Sequence, residues 1–262
     1  MSQEQPLVLR HDRADGLTTL TLNNPGQFNS LSTAMLAALQ AELDAIAASQ
    51  TVRVVVLAGA GRAFCAGHDL KEMRANHSQE FMQALFTQAG ELMQTLTRLP
   101  QPVIARVHGI AAAAGCQLVA MCDLAVAADV AKFAVSGINV GLFCSTPAVA
   151  LARNLGRKAA LEMLLTGEFI DALDAKAKGL VNRVVPADAL DAEIERLAAG
   201  ILAKSAVAVR LGKGMFYRQL EMGLGDAYAY AAEVMACNMM SADAGEGIDA
   251  FMQKRPPVYS GR

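Results

Sequence analysis

Two short runs of small residues lead into helix-like sequence, and both hold side chains that chemistry can use. In Cys65-Ala66-Gly67-His68-Asp69-Leu70 a histidine and a carboxylate follow a glycine. In Ala112-Ala113-Ala114-Gly115-Cys116-Gln117 a neutral amide closes a stretch with almost no side-chain bulk. Small side chains let a ligand approach the backbone, and the first N–H groups of a helix have no intrahelical acceptor. The helix dipole adds partial positive charge at the same place. Such a site suits an anion or a developing oxyanion. Tight strand–helix packing also selects Gly and Ala, so spacing alone leaves the two readings open.

The polar side chains nearby form two candidate acid–base groups. One is His68, Asp69, Glu72 and His77; the other is Asn139, Cys144, Ser145 and Thr146. A histidine beside a carboxylate has the make-up of a base. Asp69 and Glu72, however, have capping-box spacing, which makes a helix cap the simpler role for Asp69. The direction of the His68 side chain stays open, toward solvent being one reading in which its backbone N–H does the work. Gly59-Ala60-Gly61-Arg62-Ala63-Phe64 imitates a dinucleotide-binding turn. Phe64 stands where the third glycine must allow close helix packing, so that reading is rejected.

The elements that must position these runs are legible in outline. Leu7 to Arg10 and Leu17 to Leu22 read as strands joined by an Asp15-Gly16 turn. Ser32 caps a helix whose apolar residues Met35, Leu39, Leu43 and Ile46 recur at helical spacing. Arg53 to Ala58 and Val103 to Val107 read as buried strands, with a helix between Arg74 and Arg98. Leu124 to Ala127 and Lys132 to Val135 are further strands around the helix that opens near Gly115. From Pro147 onward the pattern is helical, over 147–155, 158–165, 171–178, 190–202, 207–220 and 228–240, interrupted by one strand, Leu180 to Val185. The expectation is an α/β fold, with a core over residues 1–195 and a helical C-terminal region over 196–262.

Composition narrows the function. The chain has 262 residues, 53% of them hydrophobic, enough for a sizeable core. A net charge of −2 and the lack of Trp leave no footprint for nucleic acid. Five cysteines with no CxxC pair read as buried free thiols of a reducing compartment. Four histidines without HxxxH spacing argue against a zinc site. No apolar run reaches the length of a membrane span. The N-terminal residues lack a targeting pattern, so a cytoplasmic location is expected, or a mitochondrial one if a presequence has been removed.

FCAGHDLKEM, followed by PVIARVHGIAAAAGCQLVAMCDLAVA, resembles the enoyl-CoA hydratase/isomerase family, the crotonases. The resemblance extends over LNNPGQFNSLS, DAKAKGLVNRVVP and EGIDAFMQKRPP, nearly the whole chain. GLFCSTPAVALARNLG and LGKGMFYRQL resemble one branch of that family. It implies a crotonase-like spiral of ββα units whose helical C-terminal region forms trimers, often paired into hexamers. It implies an acyl-CoA thioester as substrate, with no separate cofactor. It also implies an oxyanion hole made of the His68 and Ala114 N–H groups. CoA is expected along Ala66, His68, Asp69 and Leu70, with Lys254 or Arg255 near its phosphates. Gly26, Gln27 and Phe28 stand where a Lys or Arg often helps hold CoA in this family.

The family's two glutamates match Gln117 and Gly137 here, so both usual acids are absent. An amide cannot accept and release a proton near neutrality. Losing one general acid–base group typically costs about 10²–10⁴-fold in rate. Classical hydration is therefore expected to be weak. The remaining readings are an enzyme on a CoA thioester with an atypical base, or a non-catalytic acyl-CoA-binding or regulatory protein. From sequence alone, restoring both acids as Gln117→Glu with Gly137→Glu is expected to raise hydration.

Overall fold

The computed structural model describes residues 5–262. The chain begins with β1 (Val8–Asp12), β2 (Leu17–Leu22), α1 (Thr33–Ala47), β3 (Val54–Gly59), β4 (Ala63–Cys65), α2 (Leu70–Ala75) and α3 (Gln79–Arg98). It continues through β5 (Val103–Val107), β6 (Ile110–Ala112), α4 (Ala114–Met121), β7 (Leu124–Ala128) and β8 (Lys132–Ala134). A 3₁₀ segment, Ser136–Val140, leads to α5 (Ser145–Asn154) and α6 (Arg157–Thr166). Then come β9 (Ile170–Asp171), α7 (Ala172–Ala177), β10 (Arg183–Val185) and α8 (Leu190–Leu202). The last elements are α9 (Ala206–Gln219), α10 (Leu224–Met239) and α11 (Ala242–Met252).

The strands form two sheets, ordered β1-β2-β3-β5-β7-β10 and β4-β6-β8-β9. Successive strand pairs split between them: β3 then β4, β5 then β6, β7 then β8. Each turn of chain lays one strand in each sheet, parallel to its predecessor in that sheet, and returns through helix. This is the ββα spiral expected. Only β1 on β2 and β9 on β8 pair antiparallel.

The hydrophobic pattern accounts for the layers. Leu20, Leu22, Val55 and Leu57 face a core shared with Met35, Leu36, Leu39 and Leu43 of α1 and with Leu92 and Leu96 of α3. The opposite side of the six-stranded sheet presents Val54, Val56, Ile104 and Val126 to Leu190, Ile194 and Ala198 of α8. Both faces are covered, which is why these strands read as continuous apolar runs. The sequence boundary between residues 195 and 196 falls within α8. Ser32 caps α1 as expected, accepting from the Met35 N–H.

The short strands β4, β6 and β9 were not expected from the sequence, and other features differ from it as well. The strand read as Leu180 to Val185 is ordered only over Arg183–Val185, because Leu180 closes a turn by donating its N–H to the Ala175 carbonyl. The last expected helix begins earlier, at Leu224, and α11 follows it unanticipated. The cysteines read as buried free thiols are all free, and four are buried, but Cys237 is exposed.

Candidate active site

The two small-residue runs meet. β4 and β6 lie side by side in the second sheet, so the turns that leave them toward α2 and α4 are neighbours. Gly67 permits the contact. Its φ is +93°, and a Cβ there would sit 2.8 Å from the Ala113 Cβ and 3.1 Å from the Ala114 nitrogen. At Gly115 any side chain would run into the Cys65 carbonyl. At both glycines the small residue is needed for close packing of the β4 turn against the start of α4.

Ala113 carries the strain of this junction, with φ 49° and ψ −119°. A non-glycine residue in that region costs on the order of 1–3 kcal/mol. It is held by a 2.8 Å bond from its N–H to the Ala134 carbonyl of β8. The effect is to start α4 abruptly, with no side-chain cap. Among the described residues neither the His68 N–H nor the Ala114 N–H meets an acceptor. Both residues line a cavity of about 550 Å³.

The cavity collects most of the sequence candidates. Ala66, His68, Asp69, Leu70, Ala114, Gly137, Cys144, Ser145 and Thr146 all line it. Gly26, Gln27 and Phe28 line it as well, with the Arg62 guanidinium 4.5 Å over the Phe28 ring. Asp69 is the one carboxylate and Lys71 the one ammonium in the lining. No sequence signal marked the apolar wall of Met73, Phe86, Leu142 and Phe143. Those residues come from three segments, α2, α3 and the loop before α5, and no spacing links the three.

Several candidates lie elsewhere. Gln117 is 4% exposed, outside the lining, and its Oε1 is buried with no partner. Glu72 does not close the capping box; it reaches to α1 and accepts from the Thr33 N–H at 3.0 Å and the Thr33 hydroxyl. His77 is exposed outside the lining, and Asn139 donates to the Gly167 carbonyl. Lys254, at the end of α11, is exposed and does not reach the cavity of its own chain. Arg255 is bound by both carboxylate oxygens of Glu246. The expected phosphate contact from this C-terminal pair is thus not made within one chain.

His68 does not face solvent. Its Nδ1 lies 3.2 Å from the Leu31 carbonyl, so that nitrogen carries the proton. Nε2 is buried without a partner, and the ring stands edge-on to Phe86 at 5.4 Å. Burial lowers its pKa, against the raising effects of the Leu31 carbonyl and Glu72, so the imidazole is neutral at pH 7. Asp69 is the cap that its spacing suggests, its Oδ1 accepting from the Lys71 and Glu72 N–H groups at 2.9 and 3.1 Å. Burial also raises the pKa of the Cys144 thiol, which remains protonated.

At Gly137 the structure corrects the sequence expectation. A Cβ there would lie 2.5 Å from the Leu142 carbonyl oxygen and 2.7 Å from the Cys144 sulfur. The position has no room for the glutamate that the double restoration requires. The loop after the 3₁₀ segment folds back through a Leu142 N–H to Gly137 carbonyl bond of 3.0 Å and closes the space.

The family model for enoyl-CoA hydratase/isomerase matches residues 12–262. The chain is 46% identical over 259 residues to the human protein named enoyl-CoA hydratase domain-containing protein 3, mitochondrial, covering 99% of this chain and 85% of that one. Its Xenopus laevis counterpart is 47% identical over 98% of this chain and 87% of that one. The fold is similar to a crystal structure of enoyl-CoA hydratase from Mycobacterium smegmatis, at 60% identity and a TM-score of 0.96, over 97% of this chain and 99% of that one. It is similar also to the human domain-containing protein 3 structure, with a TM-score of 0.93 at 45% identity over 97% of this chain and all of that one. The branch that GLFCSTPAVALARNLG and LGKGMFYRQL resemble is this domain-containing protein 3 group.

Proposed function

The chain belongs to the enoyl-CoA hydratase/isomerase family, and from that premise we propose that it binds an acyl-CoA thioester and stabilises its oxyanion or enolate through the His68 and Ala114 N–H groups. The observation that carries this reading is the pair of unpartnered N–H groups beside one cavity, brought together by Gly67. Each such donor is worth roughly 3–4 kcal/mol when water is excluded. Ala66, Asp69 and Leu70 edge the same cavity and suit the CoA end. The thioester is the substrate, and the reading needs no further cofactor.

Classical hydration is not the proposed activity. Gln117 and Gly137 supply no acid, Asp69 is engaged as the cap of α2, and the His68 Nε2 is buried. Crotonyl-CoA is expected to bind, with a turnover at least about 10²-fold below that of an ordinary hydratase. Calorimetry for binding, with absorbance for hydration in protein cleared of host enzyme, checks both halves. Absence of binding to any CoA ester would sink the reading. The closed space at Gly137 favours a second reading, a non-catalytic acyl-CoA-binding or regulatory protein; mass-spectrometric screening of CoA esters separates it by finding binding without product.

The quaternary state belongs to the same proposal, a homotrimer or a hexamer built from two trimers. Supporting it, α9 to α11 leave large apolar side chains in water: Leu224 is 76% exposed, Tyr228 73%, Met240 84% and Phe251 84%. Patches of this kind mark interfaces. Light scattering at micromolar concentration should report three or six copies, and a monomer would refute this. The names of the vertebrate relatives support the mitochondrial alternative over the cytoplasmic expectation. Among the described residues no helix is long and apolar enough to cross a membrane.

A further inference from the structure

We propose that the Cys144 thiol is the proton donor to the α-carbon of the bound thioester, so that the site holds an acid and serves the conjugate addition of an anionic nucleophile; this rests on the acyl-CoA reading above. The argument begins from where the sulfur stands. A side chain leaving the backbone at Gly137 would begin 2.7 Å from it. The thiol thus sits at the root of the position whose glutamate is missing. Cys144 is 7% exposed and lines the cavity that His68 and Ala114 also line. Its backbone is fixed as the cap residue of α5, the carbonyl accepting from the Ala148 N–H at 2.9 Å. The Leu142 N–H to Gly137 carbonyl bond ties the loop before it to the 3₁₀ segment.

A thiol suits this task. Burial keeps its proton on at pH 7, which makes it a poor nucleophile and an available acid. The hydroxyls of Ser136, Ser145 and Thr146 share the lining, but alcohols are far weaker acids. Lys71 is exposed on α2. In the addition, a nucleophile bonds to Cβ of an enoyl thioester. The π pair moves through Cα to the thioester oxygen, toward the His68 and Ala114 N–H groups. The pair then returns, Cα takes the proton from sulfur, and the thiolate regains one from solvent. Water adds slowly here, because it needs a base and the His68 Nε2 is buried. A small thiolate arrives already ionised and needs none.

The test uses the full chain with crotonyl-CoA and 2-mercaptoethanol in D₂O, followed by enoyl absorbance, mass spectrometry and NMR, with butyryl-CoA calorimetry for binding. The expected result is the β-thioether, formed at least about 10³-fold faster than without protein. Its deuterium should lie on one face of Cα, because the donor is fixed. Cys144→Ala and Cys144→Ser should each lose about 10²-fold of that rate and scatter the deuterium over both faces, while butyryl-CoA affinity holds. A purely structural role for Cys144 would leave the face unchanged. Wild-type rate and single-face labelling in Cys144→Ala overturn the inference, as does mixed labelling by the wild type. A covalent adduct of crotonyl-CoA on Cys144 also overturns it, since the thiol would then be nucleophile and not donor. Binding of butyryl-CoA without any acceleration overturns it and leaves the CoA-ester reading standing. Failure to bind either ester overturns both.

Discussion

Replacing Lys213 with Met should destabilise the protein by about 3–5 kcal/mol, the cost of stranding a buried charge. Lys213 projects from α9 into the core. Its ammonium donates to the Leu96 carbonyl at 2.8 Å, the Gln101 carbonyl at 2.9 Å and Asp123 Oδ2 at 2.6 Å. Asp123 also accepts from the Tyr217 hydroxyl at 2.9 Å and the Val103 N–H at 2.6 Å. One side chain thus ties α9 to the end of α3, the turn before β5 and the start of β7. Burial pushes Asp123 up and Lys213 down, so neither charge stands without the other. With Lys213 gone, Asp123 is left at 14% side-chain exposure without a countercharge and must either hold an unpaired charge or take up a proton, and each costs folding free energy.

The melting temperature should fall by about 10 °C, given roughly 2–4 °C per kcal/mol for a chain of this size. Lys213→Met with Asp123→Asn should recover part of the loss, because asparagine removes the charge and retains an acceptor for Val103. Denaturant unfolding of the wild type, both singles and the double measures the coupling directly. A cost below about 1 kcal/mol for Lys213→Met would show that apolar contacts, and not this ion pair, dock α9.

The second large effect concerns the acids. Gln117→Glu with Gly137→Glu should gain no hydration activity, contrary to what the sequence alone suggests. The Gly137 substitution drives a side chain against the Leu142 carbonyl and the Cys144 sulfur. Overpacking of this kind costs about 1–3 kcal/mol or more, and here one obstacle is backbone. The loop from Leu142 to Cys144 must move, and it forms part of the cavity wall. The double variant should melt below Gln117→Glu and hydrate crotonyl-CoA no faster than it does. Hydration rates and melts for all four proteins check this. A well-folded double variant with at least about 10²-fold more hydration would mean that the loop yields easily and that a carboxylate at 137 reaches the substrate.

Much of the fold was readable because its rules act over a few residues. Alternation of buried strand runs with helices, the Ser32 cap and the Asp69 cap depend on neighbours within one turn. Where local signals were short or weak, reading failed. β4 and β6 have three residues each, too few for a period to show. α11 contains Gly245 and Gly247, which weaken its helical pattern, although its Ser241 cap was there to find.

For the site, the sequence by itself determined the inventory: two glycine-bearing turns ahead of helices, an amide at 117 and no side chain at 137. Only the tertiary structure decided what that inventory can do. It brought Gly67 against Ala113, turned His68 inward onto the Leu31 carbonyl, and sent Glu72 to Thr33. It also filled the space beside Gly137 and set Lys213 on Asp123, 90 residues away. The physical reason is the range of the interactions. Propensity and capping are settled within a turn or two of chain, whereas steric room and the pairing of buried charge depend on segments that meet only once the spiral has closed.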